Sequence, residues 1–300
     1  MLQILTTCSL GTSITSVPLF DTSNVTNMSE TFNGCTLLTS VPLLDTSSVT
    51  NMSSMFCGCS NLETVPLFDT SSVTDMSGMF NVCRSLTSVP LFNTINVTNM
   101  KRTFQTCASL TSVPKFNTSN VTDMMGMFRN CTSLTTIPLL DTSSVTNMSD
   151  MFGFCSSLST IPLLNTSSVT DTSYMFQYCS ALSSVPLLDL SNVTTIENMF
   201  RNCGSLTEIP LFDTANVTNM SSAFGYCSSL TYIPLFNTYK ATYMTGMFAY
   251  CVNVQYGALA LYQQASTQSN PPYHWYTFEG CGSNNIFGRA ELEQIPDDWK

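Results

Sequence analysis

Ten cysteines, from Cys35 through Cys59 and Cys83 to Cys251, recur at a constant step of 24 residues. Ten prolines, Pro18 to Pro234, keep the same step, and ten phenylalanines, Phe32 to Phe248, each stand three residues before one of those cysteines. Three residue types held in one register without a slip admit few folds. A fixed period of this length belongs to solenoids, propellers and arrays, whose units bury their flat faces on one another. The stretch beginning at Cys59 shows the unit. Its apolar positions are Leu62, Val65, Leu67, Phe68, Val73, Met76, Met79 and Phe80, closing on Cys83. Burying those side chains within one coil does not offset the entropy of ordering its backbone, so a single coil cannot fold alone. A stack can.

Leu62-x-x-Val65-x-Leu67 has the L-x-x-L-x-L spacing of a leucine-rich-repeat strand. Pro66 has no N–H for a ladder, which limits the predicted strand to Leu62 through Val65. Asp69-Thr70-Ser71 then reads as a turn, with the carboxylate bonding backbone N–H groups two residues on. Val73 to Met76 is expected to return apolar groups inward as a second short strand. Asp75 is placed to cap a short helix over Met76 to Phe80. The fold class implied by this pattern is a repeat solenoid: right-handed leucine-rich-repeat-like coils with short parallel strands and short helices, plus a small C-terminal cap.

The run L-T-S-V-P-L-F-D-T-S-S-V-T-N-M-S-x-M-F-x-x-C-x-S-L resembles the repeat of BspA-like leucine-rich-repeat surface proteins. The match covers nearly ten coils, about residues 1–254. That family belongs to bacteria of mucosal surfaces, some protists and their phages, and the resemblance implies attachment or recognition. The N-terminus, Met1 to Ser13, lacks a basic n-region and a proper apolar h-region. This departure from exported family members predicts either a piece of a longer exported protein or assembly on a virus particle.

Composition narrows function further. Charged residues make up 9% of the chain, against roughly 25% in average domains. Nine Lys+Arg against nineteen Asp+Glu give a net charge of −10, with a single histidine. A phosphate-tracking nucleic-acid surface needs clustered cations and is excluded as a partner class. Docking on anionic lipid is disfavoured for the same reason. No apolar run is long enough to insert in a bilayer as a helix.

Three segments are expected: a degenerate N-terminal coil at 1–17, an array of about ten repeats at 18–254, and a capping region at 255–300. The first coil lacks a polar cap, so an upstream domain or partner is expected to cover it. In the last segment Tyr256 to Ser266 and Ala290 to Gln294 read as helices, around an aromatic run from Tyr273 to Phe278.

Several groups invite a chemical reading. The cysteine ladder suits reduced core packing, with Cys8, Cys57 and Cys281 outside its register. The Cys57-x-Cys59 pair lacks the second pair that zinc requires. Two Asx columns, one from Asp21 to Asn237 and one from Asn27 to Asp171, interchange Asp and Asn freely, which fits turns better than calcium. His274 and Cys281 lack an orienting third group for catalysis. No catalytic, metal or cofactor site is therefore expected, and the protein is read as not an enzyme. The aromatics before the cysteines stand out: Phe154, Tyr178, Tyr226 and Tyr250 share one position, interrupted by Asn202. With Tyr232, Tyr239, Lys240 and Tyr243 of the last coil, which either extend that surface or serve the C-terminal cap, they form the candidate ligand-binding surface. The alternative is that these rings merely pack on each other. The predicted role is an adhesion scaffold at a cell surface or outside the cell, recognising a host-surface protein or glycan. The second reading is a phage tail or head fibre component.

Overall fold

A computed structural model describes residues 14–300. The degenerate coil expected at 1–17, and the partner expected to cover it, fall largely outside these residues. The chain forms two compact units, one ending at Val145 and one spanning Thr146–Lys300. Each is a stack of 24-residue coils in parallel register. In the first unit single parallel bridges link Asn27, Asn51, Asp75, Asn99 and Asp123 in turn. In the second they link Asn147, Asp171, Thr195, Asn219 and Tyr243. Like residues therefore lie over like, as a solenoid requires.

The backbone inside a coil departs from the expected strands and helix. Met76 to Phe80 is not helical. The N–H groups of Met76, Gly78, Phe80 and Val82 donate to the carbonyls of Asn99, Lys101, Thr103 and Gln105 in the next coil, at 2.8–3.1 Å. The N–H groups of Met79, Asn81 and Cys83 donate to Met76, Gly78 and Phe80, three residues back. Ser77 N–H goes to Asp75 Oδ1 at 2.8 Å. Every N–H from 76 to 83 is thus paired, alternately along the coil and across to its neighbour. Overlapping turns of this kind need a positive φ at the third residue, as in a type II turn. It is found at Gly78 (+61°) and Val82 (+64°), and at the equivalent residues of other coils. A helix would have kept all these N–H groups to itself; here the neighbouring coil offers a carbonyl to every second one.

The strand expected over Leu62 to Val65 is reduced to cross-coil bonds at Glu63 alone, whose N–H donates to Thr39 O and whose carbonyl accepts from Thr87 N–H, both at 3.2 Å. Pro66 stops the ladder by supplying no N–H. Leu67 also departs from expectation. Phe68 N–H bonds Pro66 O at 3.0 Å, closing a three-residue turn centred on Leu67. That turn swings Leu67 outward, leaving it 60% exposed while Phe68 is buried.

The remaining apolar positions of the coil point inward: Leu62, Val65, Val73, Met76, Met79, Phe80 and Cys83 are all buried. Phe32, Phe56, Phe80 and Phe104 stack with centroids 5.4–5.7 Å apart and rings within 11° of parallel. Beside them the thiols of Cys59, Cys83, Cys107 and Cys131, and in the second unit those of Cys179 to Cys251, donate to the phenylalanine carbonyl of the coil before, as in Cys83 Sγ to Phe56 O at 3.1 Å. Burial pushes the thiols up, Cys59 and Cys131 to about 12. Cys35 is the exception to the reduced ladder, being disulfide-bonded. A third column, of buried threonines, ties coils together through bonds such as Thr70 Oγ1 to Asn93 O at 2.8 Å.

The second unit ends differently. Helix α1 (Ala258–Ser266) and helix α2 (Ile286–Leu292) follow the last coil. The second starts four residues earlier and ends two residues earlier than expected, because Asn285 caps it by accepting the Gly288 N–H at 2.7 Å. Glu291 accepts the N–H groups of Gly257 and Leu259 at the start of α1. Gln264 and Gln268 of the α1 end bond Thr238, the last member of the threonine column. Between the helices Tyr273 to Cys281 forms one more set of overlapping turns. Met244, Gly246, Phe248 and Tyr250 donate their N–H groups to Tyr273, Trp275, Thr277 and Glu279. Phe278 then stacks on Phe248.

Candidate binding surfaces

Phe154, Tyr178, Tyr226 and Tyr250 occupy the second positive-φ position of their turns, at +59° to +64°. That backbone projects the rings away from the core. They form two pairs rather than one continuous column. Phe154 and Tyr178 stack at 4.7 Å and 12°, and Tyr226 and Tyr250 at 4.8 Å and 20°. Asn202 separates the pairs, and the Arg201 guanidinium sits 5.5 Å from the Tyr226 ring centre. Tyr250 donates its hydroxyl to Glu279 Oε1 at 2.6 Å, which pushes the phenol up. Its ring also lies close to Gly280, where an added Cβ would approach to 3.0 Å. Tyr178 and Tyr226 remain 40% exposed. Within each pair one face of each ring is covered by its partner.

Tyr232, Tyr239, Lys240 and Tyr243 do not join this column. Tyr243 stacks instead on Tyr273 at 5.4 Å. Tyr232 is bridged through its backbone to Tyr256. Tyr239 stands in an Asx turn set by Asn237, and Lys240 Nζ donates to Asn216 Oδ1 at 2.6 Å. All three tyrosines are exposed, but they serve different parts of the coil. Of these residues, Tyr232 and Tyr243 meet the C-terminal segment, at Tyr256 and Tyr273.

The other candidate groups have local work. In the first Asx column each side chain accepts the N–H two residues on, as Asp45 Oδ1 does from Ser47 N at 3.1 Å and Ser47 Oγ at 2.7 Å. These serine bonds hold the Asp21, Asp45, Asp69, Asp141 and Asp189 carboxyls below their ordinary value. In the second column Asn51 and Asp75 do the same for Ser53 and Ser77. Among the described residues no cluster of three or more His, Cys, Asp or Glu could hold a metal. His274 is stacked 4.1 Å from Trp299, with Nδ1 2.8 Å from Pro272 O and Nε2 3.2 Å from Asp298 Oδ2. Cys281 is buried and its thiol pushed far up, the opposite of an activated nucleophile.

One surface is not apparent from the sequence pattern. Leu19, Leu43, Leu67 and Leu91 in the first unit are 60–72% exposed, and Leu163, Leu187 and Leu211 in the second about 61–62%; the three-residue turn is closed by a hydrogen bond after Pro66, Pro90 and Pro210. The Pro-Leu dipeptide is the available signal, since a three-residue turn inverts the facing that an alternating pattern predicts.

No curated protein matches this sequence. The chain is similar to a leucine-rich repeat protein from Eubacterium ventriosum, at 20% identity and a TM-score of 0.44, over 66% of this chain. It spans 60% of that protein's length. It is also similar to a leucine rich cell surface protein from Faecalibacterium prausnitzii, at 20% identity and a TM-score of 0.37, over 85% of this chain and 90% of that one. The functional domain of InlJ from Listeria monocytogenes, which includes a cysteine ladder, is similar at 16% identity and a TM-score of 0.31, over 84% of this chain and 52% of that one. Among the described residues no helix is long and apolar enough to cross a membrane. A family model matches at residues 3–112, 108–208 and 183–270. With most of its length so matched, the chain belongs to the family described as "Mycoplasma protein of unknown function, DUF285".

Proposed function

We propose that the protein is a non-enzymatic binding scaffold at a microbial surface, and that it recognises a host-surface protein through the column of Phe154, Tyr178, Tyr226 and Tyr250. The observation that carries this reading is the exposure of paired rings on positive-φ turns fixed by bonds to the next coil. Holding a large aromatic in the left-handed region costs about 1–2 kcal/mol that glycine would not incur. The coils also use Gly34, Gly58 and Asn130 at this position, so the fold itself does not demand a ring. Aromatic side chains are the usual anchors of protein interfaces. Stacked pairs favour a protein over a sugar, because a sugar ring packs on an aromatic face and here one face of each ring is covered by its partner. In this reading residues 255–300 close the array, and Tyr232, Tyr239, Lys240 and Tyr243 contribute to that end rather than to recognition.

The test replaces Tyr178, Tyr226 and Tyr250 together by Asn, the residue the chain itself carries at 130 and 202. Wild type and variant are applied to an array of mucosal and extracellular-matrix proteins and to a glycan array. The expected result is a protein hit that weakens at least about ten-fold in the variant, with its circular dichroism and melting unchanged. Silence of the wild type on every protein, or a hit the variant retains, would overturn the assignment. A hit on glycans alone would replace the protein partner with a sugar.

A further inference from the structure

The unit ending at Val145 carries a surface of different chemistry from the aromatic column. Leu19, Leu43, Leu67 and Leu91 recur once per coil, each 60–72% exposed. Two residues after the first three stand Asp21, Asp45 and Asp69, so an apolar row runs beside an acidic one. A cleft of about 360 Å³ is formed where Leu43 and Leu67 meet Asp45 and Asp69. Among the described residues the three carboxylates bond their own serine turns and pair with no cation. Further along, the acidic row becomes Asn93 and Asn117, and an exposed Lys115 replaces the leucine. Apolar and acidic character therefore coincide over three successive coils; Leu91 continues the apolar row without a carboxylate, and the pair returns at Leu139 and Asp141.

We infer that this ridge docks a cationic amphipathic helix of a partner protein, its apolar stripe on the leucines and its basic flank on the aspartates. Two features select this occupant. The first is spacing. Coils joined by parallel bridges lie about 4.8 Å apart, and an α-helix advances about 5.4 Å per turn. A helix laid along the stack therefore keeps roughly one turn per coil, drifting by only about 2 Å over four coils, which match about ten residues of helix. The second is charge. A second copy of this chain would set one acidic row against another and adds its own net charge of −10. Nucleic acid and anionic lipid are repelled by the same row. A basic partner gains from it.

The probe is a synthetic peptide of about 14 residues built from Leu and Lys, with Leu on one helical face. One control has the same composition in scrambled order, and another has Glu in place of Lys. Fluorescence anisotropy at moderate salt is expected to show the patterned Lys peptide binding at least about ten-fold tighter than either control. D21N/D45N/D69N should weaken it at least about five-fold without altering melting at neutral pH, because Asn93 and Asn117 already make the same turn. L43K/L67K, which copies the Lys115 that the chain itself carries at this position, should abolish it. Equal binding of patterned and scrambled peptides, an unchanged affinity in the Asn variant, or no binding of the patterned peptide would each overturn the inference. Self-association of the wild type that L43K/L67K abolishes, with no peptide bound, would assign the ridge to a second copy instead. The Tyr178, Tyr226 and Tyr250 variant should bind the peptide as wild type does, so failure here and failure of the aromatic column are separable.

Discussion

Val82 holds φ at +64° although its side chain branches at Cβ, a combination that few residues sustain. The strain persists because Val82 N–H donates to Gln105 O and because Cys83 N–H closes the same turn on Phe80 O. Replacing Val82 by Asn, which tolerates this region and stands there at 130 and 202, should raise the unfolding midpoint by an amount equivalent to about 1 kcal/mol. Urea denaturation of the variant checks it. The aspartates of the first Asx column make a prediction of opposite character. Their carboxyls lie below the ordinary value because serine N–H and O–H groups bond the charged form, Asp45 being opposed slightly by Asp21 and Asp69. The stabilisation is present above the unfolded pKa, about 4, and is lost as pH falls through the lowered folded value. Melting scans of D21N/D45N/D69N should therefore fall less steeply in acid than those of wild type.

The cysteine ladder behaves as an element in its own right, titrating at the other end of the pH scale. Buried thiols that donate to phenylalanine carbonyls keep protons that the unfolded chain releases at about pH 8.5. Their contribution is full below that value and declines as pH climbs toward the raised folded values, about 12 for Cys59 and Cys131. Melting temperature should drop steeply above about pH 9, and more shallowly in C107A/C131A. A thiol reagent at pH 8 should reach the half-buried Cys57 before any buried free rung; early labelling of Cys107 would contradict the hydrogen-bonded ladder. The ladder was legible in the sequence because cysteine, phenylalanine and proline each keep one step. The overlapping turns beside it were not, since their positive-φ sites carry Glu30, Arg102, Val82 and Tyr174 as readily as Gly78. No residue type marks them. Leu67 misled for a related reason: an apolar residue in an L-x-x-V-x-L frame reads as inward until the turn closed by Pro66 O is taken into account. The aromatic column was legible as a row of equivalent residues, but its division into pairs depends on Arg201 and Asn202. The placement of Tyr232 and Tyr243 depends on Tyr256 and Tyr273, which lie beyond the last regular coil.

At the scale of the molecule, the C-terminal residues matter beyond their number. Phe278-x-x-Cys281 repeats the coil's own signature thirty residues after Phe248 and Cys251 rather than 24, and that offset hid it. Trp299 closes the end, stacked on His274 and edge-on to Tyr262, while its carbonyl accepts the Phe278 N–H. Trp299→Ala should cost roughly 3–5 kcal/mol locally. Hydrogen exchange is expected to speed up across 273–281 while the unit ending at Val145 keeps its protection, as nearest-neighbour stability implies. The coil-to-coil bonds carry a last consequence. Each coil hands on the carbonyls and ring faces that it receives, so gain or loss of one whole repeat through recombination within the gene leaves both new neighbours correctly matched. Lineages can lengthen or shorten the protein in single steps and vary the outward positions freely, without designing a new junction.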